Sequence, residues 1–204
     1  MPQTPRTVIF DLGKVLVDFD WTVAARRIAA RTRLSPAQLL GAMMEAPLLV
    51  SYEKGLLTTA QVYAAVRELT GFDGTLAEFS EFFADIFTEI AEMTALHAAV
   101  RARGVPTFVL SNTNALACEH IHRHFPFFAN FEGYVLSFEH GAMKPEPKLY
   151  EVAEQWSGRR AAEILFIDDR PENIAAARAR GWQAILQQSP ELTRAELRRL
   201  GLLG

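Results

Sequence analysis

Asp11 closes an apolar run, Arg6-Thr7-Val8-Ile9-Phe10, and opens onto Leu12-Gly13-Lys14-Val15. A β-branched and aromatic run ending in one carboxylate and a glycine predicts a buried strand that delivers an acid into a crevice. The carboxyl ends of strands are where open α/β sheets hold their ligands. Aspartate also serves turns and helix caps, so its company decides. Val109-Leu110 leads into Ser111-Asn112-Thr113-Asn114. A hydroxyl beside backbone N–H groups at a helix start suits an anion, with plain capping as the alternative. In Gly141-Ala142-Met143-Lys144-Pro145-Glu146-Pro147, Lys144 stands alone among small and apolar residues, and two prolines stiffen the chain behind it. A fixed ammonium there could neutralise both a phosphoryl group and Asp11; a solvated lysine is the alternative. Finally, Ile164-Leu165-Phe166-Ile167 runs into Asp168-Asp169-Arg170-Pro171-Glu172-Asn173. Adjacent carboxylates at a strand tip repel one another unless a cation joins them, and hard oxygen ligands suit Mg²⁺. Their competing role is to cap the helix that Pro171 opens.

These residues need a frame. Thr7–Phe10, Pro106–Leu110, Gly133–Leu136, Ile164–Ile167 and Gln183–Leu186 read as strands, the last four separated by helical stretches, which is the signature of a parallel α/β sheet. Between about Asp18 and Thr94 only helical patterns occur. Trp21–Arg33 is one helix, Ser35-Pro36 starts another, Thr58/Thr59 starts a third, and Glu78–Met93 carries Phe79, Phe82, Phe83 and Phe87 near helical spacing. The phenylalanine stripe is read as core. A helical block of roughly 75 residues is far too long for a connecting loop, so it predicts a subdomain inserted after Asp11. Residues 1–17 and 94–204 are assigned to the sheet domain and 18–93 to the helical cap. Met93–Arg103 is expected to be helical up to Gly104, and Pro190–Gly204 to form a short amphipathic tail helix.

Composition narrows the function classes. Half of the 204 residues are hydrophobic and 22% are charged, which suits a packed globular chain. A net charge of −3, without a basic block or zinc-type cysteine pattern, argues against nucleic acid as a partner. The single cysteine, Cys118, fits a reducing compartment. The first residues lack the apolar core of a signal peptide, and no apolar run approaches the ~20 residues of a membrane span. A cytoplasmic protein without a membrane partner is expected.

The four motifs, in this order and each at a predicted strand tip, resemble the haloacid dehalogenase-like (HAD) superfamily. The phrases FDLGKVLVDFD, LSNTN, MKPEPKLYE and FIDDRPENI look most like its sugar-phosphate phosphatase branch, typified by α-D-glucose-1-phosphate phosphatases. The resemblance spans the whole chain and implies an α/β fold with a Rossmann-like parallel sheet core and an inserted helical C1-type cap. It implies that Asp11 is a nucleophile forming an aspartyl-phosphate, and that Ser111, the amide of Asn112 and Lys144 hold the phosphoryl oxygens. Mg²⁺ would be held by Asp11, the carbonyl of Gly13 and Asp169, with Asp168 close by. The implied substrate is a small phosphorylated metabolite, with a sugar phosphate as the candidate, and no feature of the pattern bears on oligomeric state.

In the resemblance, Asn173 stands where an outer acid is common. Gly13 stands where HAD phosphatases usually carry a second aspartate, whose acid–base help is typically worth ~10²–10⁴ in rate. The same glycine occurs in the sugar-phosphate branch. The expectation is a slow phosphatase favouring good leaving groups. Two rivals are a 2-haloacid dehalogenase, against which the Asp168-Asp169 pair speaks, and a degenerate HAD fold used for binding. His120, His122 and His124 are read as a solvated helix end, Cys118 as a buried small residue, Glu139 and His140 as loop surface. Asp18, Asp20 and Trp21, where the chain leaves the core, are candidate hinge or specificity residues.

Overall fold

The computed structural model describes residues 3–45 and 47–204. The chain runs β1 (Thr7–Phe10), β2 (Val17–Phe19), α1 (Trp21–Ala29), α2 (Pro36–Glu45), α3 (Leu48–Glu53), α4 (Thr59–Thr70), α5 (Leu76–Ala84), β3 (Phe87–Glu89) and α6 (Ala91–Ala102). It continues through β4 (Thr107–Ser111), α7 (Ala115–His124), β5 (Gly133–Leu136), α8 (Ser137–His140), α9 (Pro147–Ser157), β6 (Ile164–Asp168), α10 (Pro171–Ala179), β7 (Gln183–Leu186) and α11 (Pro190–Arg199).

Five strands form one parallel sheet in the order β5-β4-β1-β6-β7. Every residue of β1, β4 and β6 is buried, because helices cover both faces of a parallel sheet. The pleat divides the core. Val8 and Phe10 pack with Met93, Leu96 and Val100 of α6 on one face. Ile9 points the other way, with Leu149, Tyr150 and Ala153 of α9 and Ile174 of α10. The fold is α/β, as the recurrence of strand and helix patterns predicts.

The segment between β1 and β4 has its own hydrophobic cluster, with Ile28, Tyr52, Val62, Val66, Phe72, Phe79 and Phe83 at its centre. Phe79 and Phe83 are thus core residues, and truncating either would typically cost ~3–5 kcal/mol. The predicted helix start at Thr58 holds, where Thr58 and Gln61 form a reciprocal capping box on α4; α5 starts earlier than the sequence pattern placed it, with Thr75 and Glu78 forming a second such box. Ser35 and Gln38 cap α2 in the same manner.

Two expectations need correction here. The stretch is not free of strands: Val17↔Glu89 and Phe19↔Phe87 pair in a two-stranded antiparallel ribbon of β2 and β3. Phe87 therefore belongs to a strand, and the helix expected over Glu78–Met93 ends at Ala84. The physical cause is long-range. The chain leaves and re-enters the core at one place, and the two passing segments satisfy each other's backbone groups. Local periodicity carries no trace of that pairing. Likewise α1 stops at Ala29 rather than Arg33. Among the described residues no helix is long and apolar enough to cross a membrane.

Candidate active site

The register of the central strands assembles the site. Phe10 pairs with Val109 on one side and Ile167 on the other. The residues just beyond, Asp11, Ser111 and Asp168-Asp169, therefore emerge side by side at the carboxyl edge. Later strands are added to either side of β1, so this edge is also the topological switch point where such sheets bind ligands. One oxygen each from Asp11, Asp168 and Asp169 lie within 4.8 Å of one another.

Lys144 reaches this edge from the loop after α8. Its Nζ lies 2.7 Å from Asp11 Oδ1 and 2.7 Å from Asp168 Oδ2, with all three side chains buried. Asn112 fixes the loop: its Oδ1 accepts from the Lys144 amide at 2.7 Å and its Nδ2 donates to the Lys144 carbonyl at 3.0 Å. Asp168 is enclosed further. Asn173 Nδ2 lies 3.0 Å from each of its oxygens, and the Arg170 amide donates to Oδ1 at 2.8 Å. An amide at position 173 is therefore a donor to a buried carboxylate, a role that an acid could not fill in ionised form. Asp169 has no comparable partner among the described residues and is only partly buried.

Electrostatics follow from this packing. Burial raises the Asp11 carboxyl well above its ordinary range, Lys144 pulls it back down, and Asp168 pushes it up again. Burial alone would lower the Lys144 ammonium, but the carboxylates of Asp11 and Asp168 outweigh it and hold the group charged. Asp169 is raised by burial and by neighbouring Asp168. Three acids around one lysine leave negative charge uncompensated, which favours a further cation. Both contacts of Asp11, from Lys144 and from the Leu12 amide at 2.7 Å, fall on Oδ1. Oδ2 is left as the oxygen able to attack or to ligate.

Two cavities meet here. One of about 170 Å³ is lined by Asp11, Lys14, Lys144, Asp169 and Arg170 among others. Another of about 70 Å³ is lined chiefly by apolar groups, including Trp21, Phe87 and Ile121, and reaches Ser111. Gly13, Phe19, Glu53 and Asn112 line both. Gly13 has a steric reason: a Cβ there would lie 2.9 Å from Phe19 Cε1. Burial pushes the Glu53 carboxyl up to about 7 against the pull of Arg170. The sequence pattern had not singled out Glu53 or Phe19. Both come from the insertion and its ribbon, and only the folded chain lays these over the strand tips.

The profile of the haloacid dehalogenase-like hydrolases matches residues 5–181. The chain belongs to the haloacid dehalogenase-like hydrolase family. This hydrolase is 26% identical over 203 residues to sesquiterpene phosphatase astK of Aspergillus oryzae, covering 98% of each chain. It is 24% identical to D-ribitol-5-phosphate phosphatase of Bacteroides thetaiotaomicron, over 94% of this chain and 96% of that one. A HAD family enzyme of Bacteroides thetaiotaomicron, solved in complex with magnesium and inorganic phosphate, superposes with a TM-score of 0.80 at 22% identity. It covers 90% of this hydrolase and 94% of its own chain, so the fold is shared.

The remaining candidates have structural places in the hydrolase. Asp20 caps α1 by accepting from the Thr22 amide at 2.8 Å, and Asp18 pairs with Lys14. Trp21 lines the smaller cavity and packs edge-on against Phe83. His122 and His124 are exposed, whereas His120 tucks partly against the insertion, 3.9 Å from Asp85. The solvated reading thus fails for His120, because α7 meets α5 there. Cys118 is only partly buried, and burial pushes its thiol up to about 11. Glu139 is exposed, but it and His140 lie in α8 rather than in a loop, and His140 is partly buried, edge-on to Trp156, because α8 packs against α9.

Proposed function

We propose that this hydrolase is a Mg²⁺-dependent phosphomonoester phosphatase of small metabolites that works through an aspartyl-phosphate. The observation that carries this reading is the buried arrangement of Asp11, Lys144 and Asp168 beside the less enclosed Asp169, with one oxygen of each acid within 4.8 Å. Those clustered hard oxygens fit a small divalent cation. Asp11 and Asp169, with the carbonyl of Gly13 and with Asp168 close by, would hold Mg²⁺, which supplies charge neutralisation for the phosphoryl group. A relative of the same fold was solved in complex with magnesium and inorganic phosphate, which supports a magnesium-dependent phosphatase.

Asp11 Oδ2 attacks phosphorus while Lys144 keeps Oδ1 in place and stabilises the ionised carboxylate. Ser111, the Asn112 amide and Lys144 bind the transferring oxygens. Asn112 and Asn173 act through others, the first by fixing the lysine loop and the second by holding Asp168. Water then releases phosphate from Asp11. A cytoplasmic setting accompanies this proposal, supported by the single cysteine.

For the alcohol portion, a sugar or sugar-alcohol phosphate is supported by the resemblance to the ribitol-phosphate phosphatase and by the polar wall of Lys14, Glu53, Asn112 and Arg170. A second reading, an ester of an apolar alcohol, is favoured by the wall of Phe19, Trp21, Phe87 and Ile121. Phosphate release from sugar phosphates, a prenyl phosphate and nitrophenyl phosphate, with Mg²⁺ or EDTA, tests both. Metal-dependent turnover lost in Asp11→Asn is expected. No turnover of any ester, or release of halide from 2-haloacids without metal, would overturn the proposal.

A further inference from the structure

Three residues at the end of α3 tie the insertion to the core. The Tyr52 hydroxyl accepts from the Leu116 amide of α7 at 3.3 Å. Lys54 Nζ lies 2.8 Å from a carboxylate oxygen of Glu146, two residues from Lys144. Gly55, with φ +66, presses its backbone on α8, where a Cβ would lie 2.0 Å from the Phe138 carbonyl oxygen. Only glycine combines that conformation with that approach. Glu53 sits among these anchors. It makes no hydrogen bond or ion pair among the described residues, yet it is partly buried and lines both cavities at the strand tips.

Position 13 offers no side chain for proton transfer, and the ring of Phe19 occupies its space. In-line displacement sends the leaving oxygen away from Asp11, toward walls that the insertion contributes. We propose that Glu53 is the leaving-group acid of this hydrolase and the base for water in the second half-reaction. This rests on the phosphatase reading above. As Asp11 Oδ2 bonds to phosphorus, the P–O ester bond breaks. Its electron pair stays on the ester oxygen, which takes the proton of the Glu53 carboxylic acid. Water then attacks the aspartyl-phosphate and gives its proton to the Glu53 carboxylate, and the bond from phosphorus to Asp11 breaks. Atoms and charge balance as ester plus water giving alcohol plus phosphate.

The neighbourhood suits the task. The charged groups sharing the larger cavity are Asp11, Lys14, Lys144, Asp169 and Arg170. Lys14 is drawn to the Asp18 carboxylate and to the Phe19 carbonyl at 3.1 Å, which take two of its three N–H groups. Burial outweighs the pull of Arg170 and keeps a proton on Glu53 up to about pH 7, where a group that both gives and takes protons works best.

The test compares Glu53→Gln, with Glu53→Ala as a second variant, against wild type on an alkyl phosphate and on p-nitrophenyl phosphate, in the full chain with Mg²⁺. Thermal melts confirm folding. For the alkyl ester, kcat/KM is expected to fall ~10²–10⁴-fold. For the nitrophenyl ester, whose leaving group needs no proton, kcat/KM is expected to fall less than about tenfold. A burst of nitrophenolate should then precede slow turnover, because hydrolysis of the aspartyl-phosphate has lost its base. Equal losses on both esters, a rise in KM alone, or no change would overturn the assignment to Glu53. An inactive wild type would instead remove the phosphatase reading itself.

Discussion

Gly13 lies against the ring of Phe19, so closely that a Cβ at position 13 would come within 2.9 Å of Phe19 Cε1. The ring in turn packs edge-on to Phe87, at 6.2 Å between centroids, across the ribbon that connects the insertion to the core. A glycine at this place is therefore part of the packing that joins the two. Gly13→Asp is expected to destabilise the fold by about 1–3 kcal/mol through overpacking and not to raise phosphatase activity. Combining it with Phe19→Ala should cost less than the sum of the two single changes. Chemical denaturation of the four proteins of this cycle measures that coupling; strict additivity would show that the ring does not exclude the side chain.

Lys144 separates two buried acids. Lys144→Met would leave Asp11 and Asp168 facing each other without their shared cation. Loss of one partner from a buried ionic group typically costs about 3–5 kcal/mol. The variant should melt well below wild type and release no phosphate. A variant as stable as wild type would contradict the buried geometry.

Asp168 and Asp169 are adjacent in sequence yet should respond differently. Asp168 is fully enclosed by Lys144, Asn173 and the Arg170 amide, whereas Asp169 is partly open. Asp168→Asn is expected to lower stability by about 3 kcal/mol or more with or without metal. Asp169→Asn should leave the metal-free melting temperature nearly unchanged and abolish the upward shift produced by Mg²⁺. Calorimetric melts with Mg²⁺ and with EDTA distinguish the two. Identical behaviour would argue against Asp169 as the direct ligand.

Gly55→Ala probes how the insertion is seated. The new methyl would meet the Phe138 carbonyl, and the residue would be held at φ +66. The expected result is a folded protein with weakened docking of α3 on α8 and a kcat/KM reduced at least tenfold, about 1.4 kcal/mol of transition-state stabilisation. Unchanged kinetics would show that the anchor does not serve the cleft.

His97 should make stability depend on pH. It is buried, stacks on Phe131 at 4.0 Å, and its Nε2 lies 3.0 Å from Thr107 Oγ1. Burial pushes it down from 6.5 to about 4. The unfolded chain binds the proton first, so its contribution is complete above pH 6.5 and is lost as pH falls toward about 4. The loss amounts to roughly 3 kcal/mol at most. Asp11 and Glu53, both raised, act in the opposite sense, so the contrast with a variant isolates the histidine. In urea titrations at pH 7 and pH 5, the gap between wild type and His97→Gln should shrink at the lower pH. A constant gap would refute a neutral buried His97.

Much of this protein was legible along the chain. The five sheet strands, the helix starts at Ser35, Thr58 and Pro171, and the acids and hydroxyl at the strand tips follow from local rules: β-branched runs for buried strands, hydroxyl and proline punctuation for helix starts, and polar residues standing where apolar runs end; Lys144, expected at a strand tip as well, instead comes from the loop after α8. Because those side chains are attached directly to the edge of a parallel sheet, identifying the strands was enough to gather Asp11, Ser111, Asp168 and Asp169. What only the tertiary structure decided lies in the insertion. The pairing of Val17–Phe19 with Phe87–Glu89, the ring of Phe19 against Gly13, and Glu53 in the cleft wall all join residues far apart in sequence, through contacts that no local periodicity encodes. At the end of α3 the seating of the insertion rests on a hydroxyl accepting a backbone amide, one ion pair and one glycine. Each of these is ordinary in sequence, and each acquires its meaning only from what stands opposite it in the folded chain.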